Sequence, residues 1–488
     1  LEMSFPGAYH LGHGGDAHPW PVDENGRNLN FYRNNDFGDN KSYHIVGKPD
    51  GFFAAYWHDL EFGAGHYAPY GDKLGKKIWL WSQSRSGAIW EDLLTDTDGQ
   101  YVELQSGRLF NQAATGSTRT PFKHFGLHPH TSDSFTEYWY PVMDIGGVKK
   151  ANPAGALQVE KESSGLKISL SPLQYIHDQI TVYAGQEVIH QQKVNLKPLE
   201  TWKTTLNGNY EGKPISVVVG PGKSLVWSEE SDSATSSRPV RAPETFDWNT
   251  PFGLYTEGVN WAYQGRFDLA MQKIEACLDR DSLYAPALNE MAELLLRKGS
   301  FEAALKYVRR SLSINTYDPK ANFLFGVAGR STENLTDALD GFAVASLSPE
   351  YRTAAWTELS RLHVVKGDWE KAREYAGRIL AADAGNQDAL LLTAVALRKE
   401  NRAGEAAEFL AKLEKASPLN HFTRFERMLT GETKQLKDEL LSRITAELPH
   451  ETFTEMALWY DYLGCRDEAV RLLEMSPATA LVKLLLSY

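Results

Sequence analysis

Two hydrophobic rhythms divide this chain. As far as about residue 230, apolar residues alternate with polar ones in short runs bounded by Gly, Pro, Asn and Asp, the period of strands. Beyond residue 250 they recur three and four positions apart, the period of helices. In the first region the pattern predicts strands over Leu29–Tyr32, Tyr43–Val46, Gly51–His58, Ile78–Ser82, Gln100–Arg108 and Phe135–Val142, with a loop over Asp59–Lys77. A second set is predicted over Leu157–Glu162, Lys167–Leu170, Gln179–Ala184, Glu187–Leu196, Trp202–Asn207, Ile215–Val219 and Ser224–Trp227. The turn signals Asn207-Gly208 and Pro221-Gly222 make the latter a small sandwich, or the closing half of a larger one. Ser228–Pro243, rich in Ser, acid and Pro, reads as a linker.

The helical region is a repeat. Ala270, Ala304, Ala338, Ala372 and Ala406 recur at intervals of 34. Gly265, Gly299 and Gly367 stand five positions before three of them, and Phe267, Phe301 and Trp369 follow those glycines. Small residues at Gly258, Ala292, Gly326, Ser360 and Ala394 complete the unit. This is the tetratricopeptide period, with small residues where paired helices touch. Leu429–Leu441 breaks the phase, Gly464 and Ala469 mark a divergent sixth unit, and the apolar tail Ala480–Leu486 is expected to cap the stack. The domain reading is therefore β from 1 to 155 with the candidate site, closing strands from 156 to 230, a linker from 231 to 250, and repeats from 251 to 488. The array is expected to take a protein partner or to self-associate.

Net charge is −12 over 488 residues, which argues against nucleic acid and anionic membrane surfaces as partners. Two cysteines far apart exclude a disulfide framework. No run of about 18 apolar residues is present to span a membrane. Leu1-Glu2-Met3-Ser4 has no signal-peptide pattern. No cofactor is expected. Nor is a metal: His128-Pro129-His130 would share a strand face, but lacks a third ligand, and its Pro disfavours a central strand. Asp96–Gly99 lacks the later Gly and Glu of a calcium loop.

Nine of the fourteen histidines and six of the thirteen tryptophans precede residue 140, so the candidate chemistry lies in front. The run Trp90–Gln112 draws most attention. After the turn Thr97-Asp98-Gly99, alternation puts Tyr101, Glu103 and Gln105 on one strand face and Val102 and Leu104 on the other. A carboxylate flanked by a phenol and an amide suits an aromatic-lined sugar pocket, and equally a solvent-facing strand. Trp79 and Trp81 likewise share a face, as a stacking platform or as core. Glu137 and Trp139 share another, and His58 and His66 are candidate proton donors or simple hydrogen-bonding residues.

Gly75–Trp81 (GKKIWLW), the run Trp90–Gln112 and Glu137–Val142 (EYWYPV) together resemble an uncharacterised bacterial family. In that family a galactose-mutarotase-like β-supersandwich precedes tetratricopeptide repeats. The resemblance covers roughly residues 1–420 and implies that the chain starts inside the family's pattern. It implies a multidomain β + α protein with a carbohydrate ligand on a concave sheet face, in a bacterial cytoplasm or periplasm. The leading expectation is a glycoside hydrolase acting on an oligosaccharide or glycoside through paired carboxylates. Glu103 is the first of these, with its partner among Asp96, Glu61 and Glu137. Trp79, Trp81, Trp90, Tyr101 and Trp139 would stack on sugar rings, and Gln105, Asn111 and Gln112 would bind hydroxyls. Two alternatives stand beside it. One is a mutarotase-type aldose 1-epimerase using Glu103 with His58 or His66; the other is a non-catalytic carbohydrate-binding scaffold whose repeats recruit a partner.

Overall fold

A computed structural model describes the chain apart from residues 96–98, 100, 113, 221, 432 and 488 and the side chains of Glu91 and Asp92. Two compact units are formed, one from residues 1–126 and 133–270 and one from residues 127–132 and 271–488.

In the first unit the leading strands are β1 (Glu2–Ser4), β2 (Tyr9–Leu11), β3 (Ala17–Pro19), β4 (Asn40–Val46), β5 (Phe52–Trp57), β6 (Phe62–Tyr67), β7 (Gly75–Trp81), β8 (Val102–Gly107) and β9 (Tyr138–Met143). They make a four-stranded sheet β1-β5-β6-β9 and a five-stranded sheet β3-β2-β4-β7-β8. Met3 and Phe53 from the first meet Tyr43, Ile45, Ile78 and Leu80 from the second in one buried core. Along β7 and β8 the inward residues alternate with outward ones, so Lys77, Trp79 and Trp81 of β7 and Glu103 and Gln105 of β8 turn away from that core.

Eight strands follow: β10 (Lys150–Asn152), β11 (Gly155–Glu162), β12 (Gly165–Pro172), β13 (Ile176–Ala184), β14 (Glu187–Leu196), β15 (Trp202–Asn207), β16 (Ile215–Val219) and β17 (Leu225–Ser228). Sheets β10-β11-β12-β15 and β14-β13-β16-β17 enclose a second core of Leu157, Ile168, Leu170, Ile180, Val182, Val217 and Trp227. These strands lie close to the expected spans, because each is a clean period-two run ended by a turn.

The front sheet departs from expectation at four places. Residues 62–67, expected in a loop, form β6. Its glycines hide the alternation, and packing explains them: a Cβ on Gly65 would stand 2.3 Å from the Tyr140 ring. Arg85–Leu94 is a helix the strand patterns did not announce. Leu29–Tyr32 makes no extended strand, and a 3₁₀ turn begins at Tyr32. The His128–His130 stretch is a turn, with His130 at φ +52° and Thr131 N donating to His128 O at 3.2 Å.

In the second unit the helices form pairs, Ala285–Arg297 with Phe301–Ile314, Pro319–Ser331 with Leu335–Ala345, Arg352–Val365 with Trp369–Ala382 and Gln387–Lys399 with Ala403–Ala416; Pro251–Tyr263 and Phe267–Arg280 precede them in the chain. All five repeat alanines are buried. The turn glycines Gly265, Gly299 and Gly367 sit at φ of +73°, +77° and +71°, ending the first helix of their pairs in the left-handed region. Glu333 and Asn401, at the same place in the other two repeats, hold φ of +59° and +61° without being glycine. Beyond them His421–Gly431 and Lys434–Arg443 form a further pair. It falls where the period breaks; it lacks the Gly and Ala signals, yet puts Phe425, Met428 and Leu440 into the shared core. Pro449–Tyr462, Arg466–Met475 and Ala480–Leu485 end the array.

Candidate functional site

Glu103 stands on β8 with its face settled by alternation. Val102 and Leu104 pack against the front core, so Tyr101, Glu103 and Gln105 face away from it. The Tyr101 phenol donates to Glu103 Oε1 at 3.0 Å, and the Gln105 amide donates to Oε2. The hydrogen bond to Glu103 raises the Tyr101 pKa. Both carboxylate oxygens are thus oriented by same-face neighbours two residues away in each direction.

Pairing to β7 supplies the rest of this surface. Trp79 is the register partner of Glu103, and Lys77 that of Gln105. Directly opposed side chains in a sheet lie about 5 Å apart at Cβ, so Trp79 flanks the carboxylate. Trp79 meets Trp81 edge-on at 4.7 Å and Tyr101 edge-on at 5.9 Å, and Trp90 of helix Arg85–Leu94 stacks on Trp81 at 5.0 Å. The four aromatics are one cluster, its two outer β7 positions only partly covered.

Beside them lies a cavity of about 320 Å³ lined by His44, Lys77, Gln105, Asn111 and Gln112, among others. Lys77 Nζ donates to Gln112 Oε1 at 2.8 Å. Burial lowers the Lys77 pKa, and the Glu103 charge works against that. Asn111 is buried, and its amide nitrogen has no acceptor among the described residues. His44 is spoken for on both sides: its Nδ1 meets Leu11 O at 3.1 Å and its Nε2 accepts from Gln112 N at 3.0 Å. With one nitrogen accepting, the ring is neutral, and burial pushes its pKa down to about 4. His44 therefore positions Gln112 and is no proton donor at neutral pH. His13 lies edge-on to it at 5.3 Å, and burial, then the Lys77 charge, lowers its pKa.

The remaining candidates fall elsewhere. Glu137 accepts from Ser106 and lies 3.3 Å from His66 Nε2 and 3.6 Å from Lys73 Nζ. Ser106 is on the opposite face of β8 from Glu103, so Glu137 belongs to the core side. Burial alone would raise the Glu137 pKa, but these partners outweigh it and hold it low. His66 stacks on core Phe53 at 4.3 Å, and Trp139 sits edge-on to it at 4.7 Å. Burial lowers the His66 pKa against the pull of Glu137. His58 and Glu61 line a different cavity, of about 340 Å³, and His58 Nε2 pairs with Glu2 at 2.9 Å. Asp96 lies outside the described residues. The structure thus brings together Trp79, Trp81, Trp90, Tyr101, Glu103, Gln105, Asn111 and Gln112, and sets His66, Glu137 and Trp139 apart from them, and His58 with Glu61 apart again. Lys77 and His44 were missed in the sequence. Alternation from Trp79 signals Lys77; His44 becomes visible only once β4 pairs with β7.

Residues 1–142 match the model of a domain of unknown function, DUF5107. Residues 255–319 and 357–421 match a tetratricopeptide repeat model. Among solved structures the chain is similar to MamA protein at 18% identity, over 35% of this chain and 93% of that one, with a TM-score of 0.33. It is similar to YrrB, described as a TPR protein with an unusual peptide-binding site, at 17% identity over 38% and 93% of the two chains, with a TM-score of 0.33. A tetratricopeptide repeat protein from Parabacteroides merdae ATCC 43184 matches at 14% identity over 49% and 97%, with a TM-score of 0.39. The C-terminal array is one of tetratricopeptide repeats, following a β-rich region. Among the described residues no helix is long and apolar enough to cross a membrane.

Proposed function

We propose that this chain is a non-catalytic carbohydrate-binding scaffold. Its β8–β7 face holds a neutral sugar, and its repeats engage a protein partner. The observation that carries the sugar half is the oriented carboxylate. Glu103, steered by Tyr101 and Gln105, lies beside the Trp79 indole and next to a cavity whose wall includes the Asn111 amide, which has no acceptor among the described residues. Fixed acceptors and donors beside a flat apolar ring fit the alternating hydroxyl and C–H faces of a sugar, and about 320 Å³ is at the small-ligand end of pocket sizes. The partner half rests on the repeat array, whose stacked pairs build extended binding surfaces.

Binding is preferred to bond cleavage on one ground. The five strands of this sheet carry a single acidic side chain, Glu103, whereas glycoside hydrolysis asks for two carboxyl groups about 5–10 Å apart across the scissile bond.

The test is calorimetric titration of the full chain with neutral mono- and oligosaccharides, repeated with Trp79→Ala and Glu103→Gln. Each substitution should weaken binding at least about tenfold, near 1.4 kcal/mol, with circular dichroism unchanged. A sugar bound equally well by both variants would place the site elsewhere. Release of reducing ends by the native chain would restore the hydrolase reading, and faster anomer interconversion the epimerase.

A further inference from the structure

Residues 127–132 belong to the compact unit made by the repeats. They are a six-residue stretch, LHPHTS, turned tightly on itself: Thr131 Oγ1 donates to His128 O at 2.7 Å, and His130 is left-handed. The turn directs the His130 ring at two carboxylates on consecutive first helices of the array. Nδ1 lies 3.0 Å from Asp388 of Gln387–Lys399, and Nε2 lies 3.3 Å from Glu358 of Arg352–Val365. A carboxylate only accepts when ionised, so an imidazole with a carboxylate at each nitrogen carries both protons and is a cation. His128 makes a similar but exposed contact, at 3.2 Å from Glu350.

Other groups face the same spot. Arg361 Nη1 lies 2.8 Å from Glu358, Arg330 Nη1 lies 3.2 Å from it, and the Tyr462 phenol donates to it at 2.9 Å. Arg361 Nη2 is 3.5 Å from Asp388. Glu358 is buried, and three helices of the array, Pro319–Ser331, Arg352–Val365 and Pro449–Tyr462, supply its other partners. Two acids and two arginines cancel, so the imidazolium leaves this patch with one net positive charge that the nearby Glu350 offsets. A site of this construction recognises a cation held by hydrogen bonds on two sides.

We infer that residues 127–132 are an internal ligand of the repeat array, in which the His130 imidazolium fills a cation site that a partner peptide bearing a basic side chain must empty in order to use. The inference rests on the partner-binding half of the function proposed above and names where, and through what chemistry, that partner enters. The latch has a built-in sensitivity. Burial lowers the His130 pKa, but the hydrogen bonds to Asp388 and Glu358 outweigh it and hold it above 6.5. A raised pKa means that the contact is at full strength below the unfolded value of 6.5 and fades as pH rises through the folded one. Neutral His130 has given one proton to solvent and turns a lone pair toward one of the two carboxylates.

Three forms of the full chain test this: native, His130→Ala and His130→Lys. The probe is a fluorescent synthetic peptide of residues 126–132, read by anisotropy at about pH 6 and about pH 9. At pH near 6 His130→Ala should bind the peptide at least about tenfold more tightly than the native chain, because its own ligand is gone. His130→Lys keeps its charge at both pH values, so its stretch should stay seated at both, where hydrogen exchange of native amides 127–132 quickens on going to the higher pH. Adding Asp388→Asn to His130→Ala should abolish the gained binding; this partner is partly exposed and its loss is tolerable to the fold. Equal peptide binding by native and His130→Ala chains, or exchange of 127–132 that ignores both pH and the lysine substitution, overturns the inference. The sugar titrations of Trp79→Ala and Glu103→Gln are independent of these outcomes, and a partner captured by the array whatever residue stands at 130 would leave the scaffold function intact while removing the internal ligand.

Discussion

A matched pair of glycine substitutions isolates what holds the repeat turns. Gly299 and Gly377 are both exposed to open space: a Cβ built on either meets nothing within 4 Å. Gly299 stands at φ +77° after helix Ala285–Arg297, where its N–H donates to Leu296 O at 3.0 Å. Gly377 lies inside helix Trp369–Ala382. The same added methyl should therefore act only through backbone conformation. An L-residue in the left-handed region costs about 1–2 kcal/mol. Against this, alanine narrows the unfolded ensemble and returns about 0.4–1 kcal/mol. Gly299→Ala should then destabilise by roughly 0.5–1 kcal/mol, while Gly377→Ala, relieved of the helical glycine penalty, should stabilise by about 0.5–1 kcal/mol. The two variants should stand about 1–2 kcal/mol apart, on opposite sides of the native chain. Glu333 offers the reverse experiment. It already bears φ +59° with a side chain, so Glu333→Gly should stabilise by roughly 0.5–1 kcal/mol. Urea unfolding followed by helical circular dichroism measures all three. If Gly299→Ala and Gly377→Ala shift the midpoint in the same direction, the left-handed turn is not what the position requires and the repeat geometry is misassigned there.

Two further outcomes follow from buried groups. Ala304, fully buried at a helix-pair contact, should not accept an indole: Ala304→Trp should cost about 1–3 kcal/mol or more, and an unchanged melting temperature would count against close packing there. Lys76 lies on the core side of β7, its Nζ donating to Pro6 O at 2.8 Å and Asp50 O at 3.1 Å, and burial lowers its pKa to about 8. The unfolded chain, with its lysine near 10.5, binds the extra proton between those values, so stability should rise with pH across that window by up to about 3 kcal/mol relative to Lys76→Met. A native-minus-variant difference that stays flat from about pH 7 to about pH 10 refutes it.

What was readable in the chain and what was not divides along the range of the interactions involved. The 34-residue period announces its helix pairs because alanine at a contact and glycine at a turn are demands met within one repeat, and a repeat touches mainly its neighbours. Strand β14 spans Glu187–Leu196 as its pattern predicts, and Tyr101, Glu103 and Gln105 share a face, because side-chain alternation is a property of a single extended backbone. Partners across space are another matter. The β6 pattern reads as loop because its glycines answer to distant partners, Gly65 to the ring of Tyr140 on β9 and Gly63 to Ala55 and Tyr56 on β5. Nothing local tells Glu103 from Glu137; the pairing of β7 to β8 and of β6 to β9 sends one to the outer sheet face and the other to Ser106 and His66. His130 is the clearest case. Its sequence neighbours argue only against a metal site, and its chemistry is decided by Glu358 and Asp388, 228 and 258 positions further on, through a buried charge balance that only the folded array assembles.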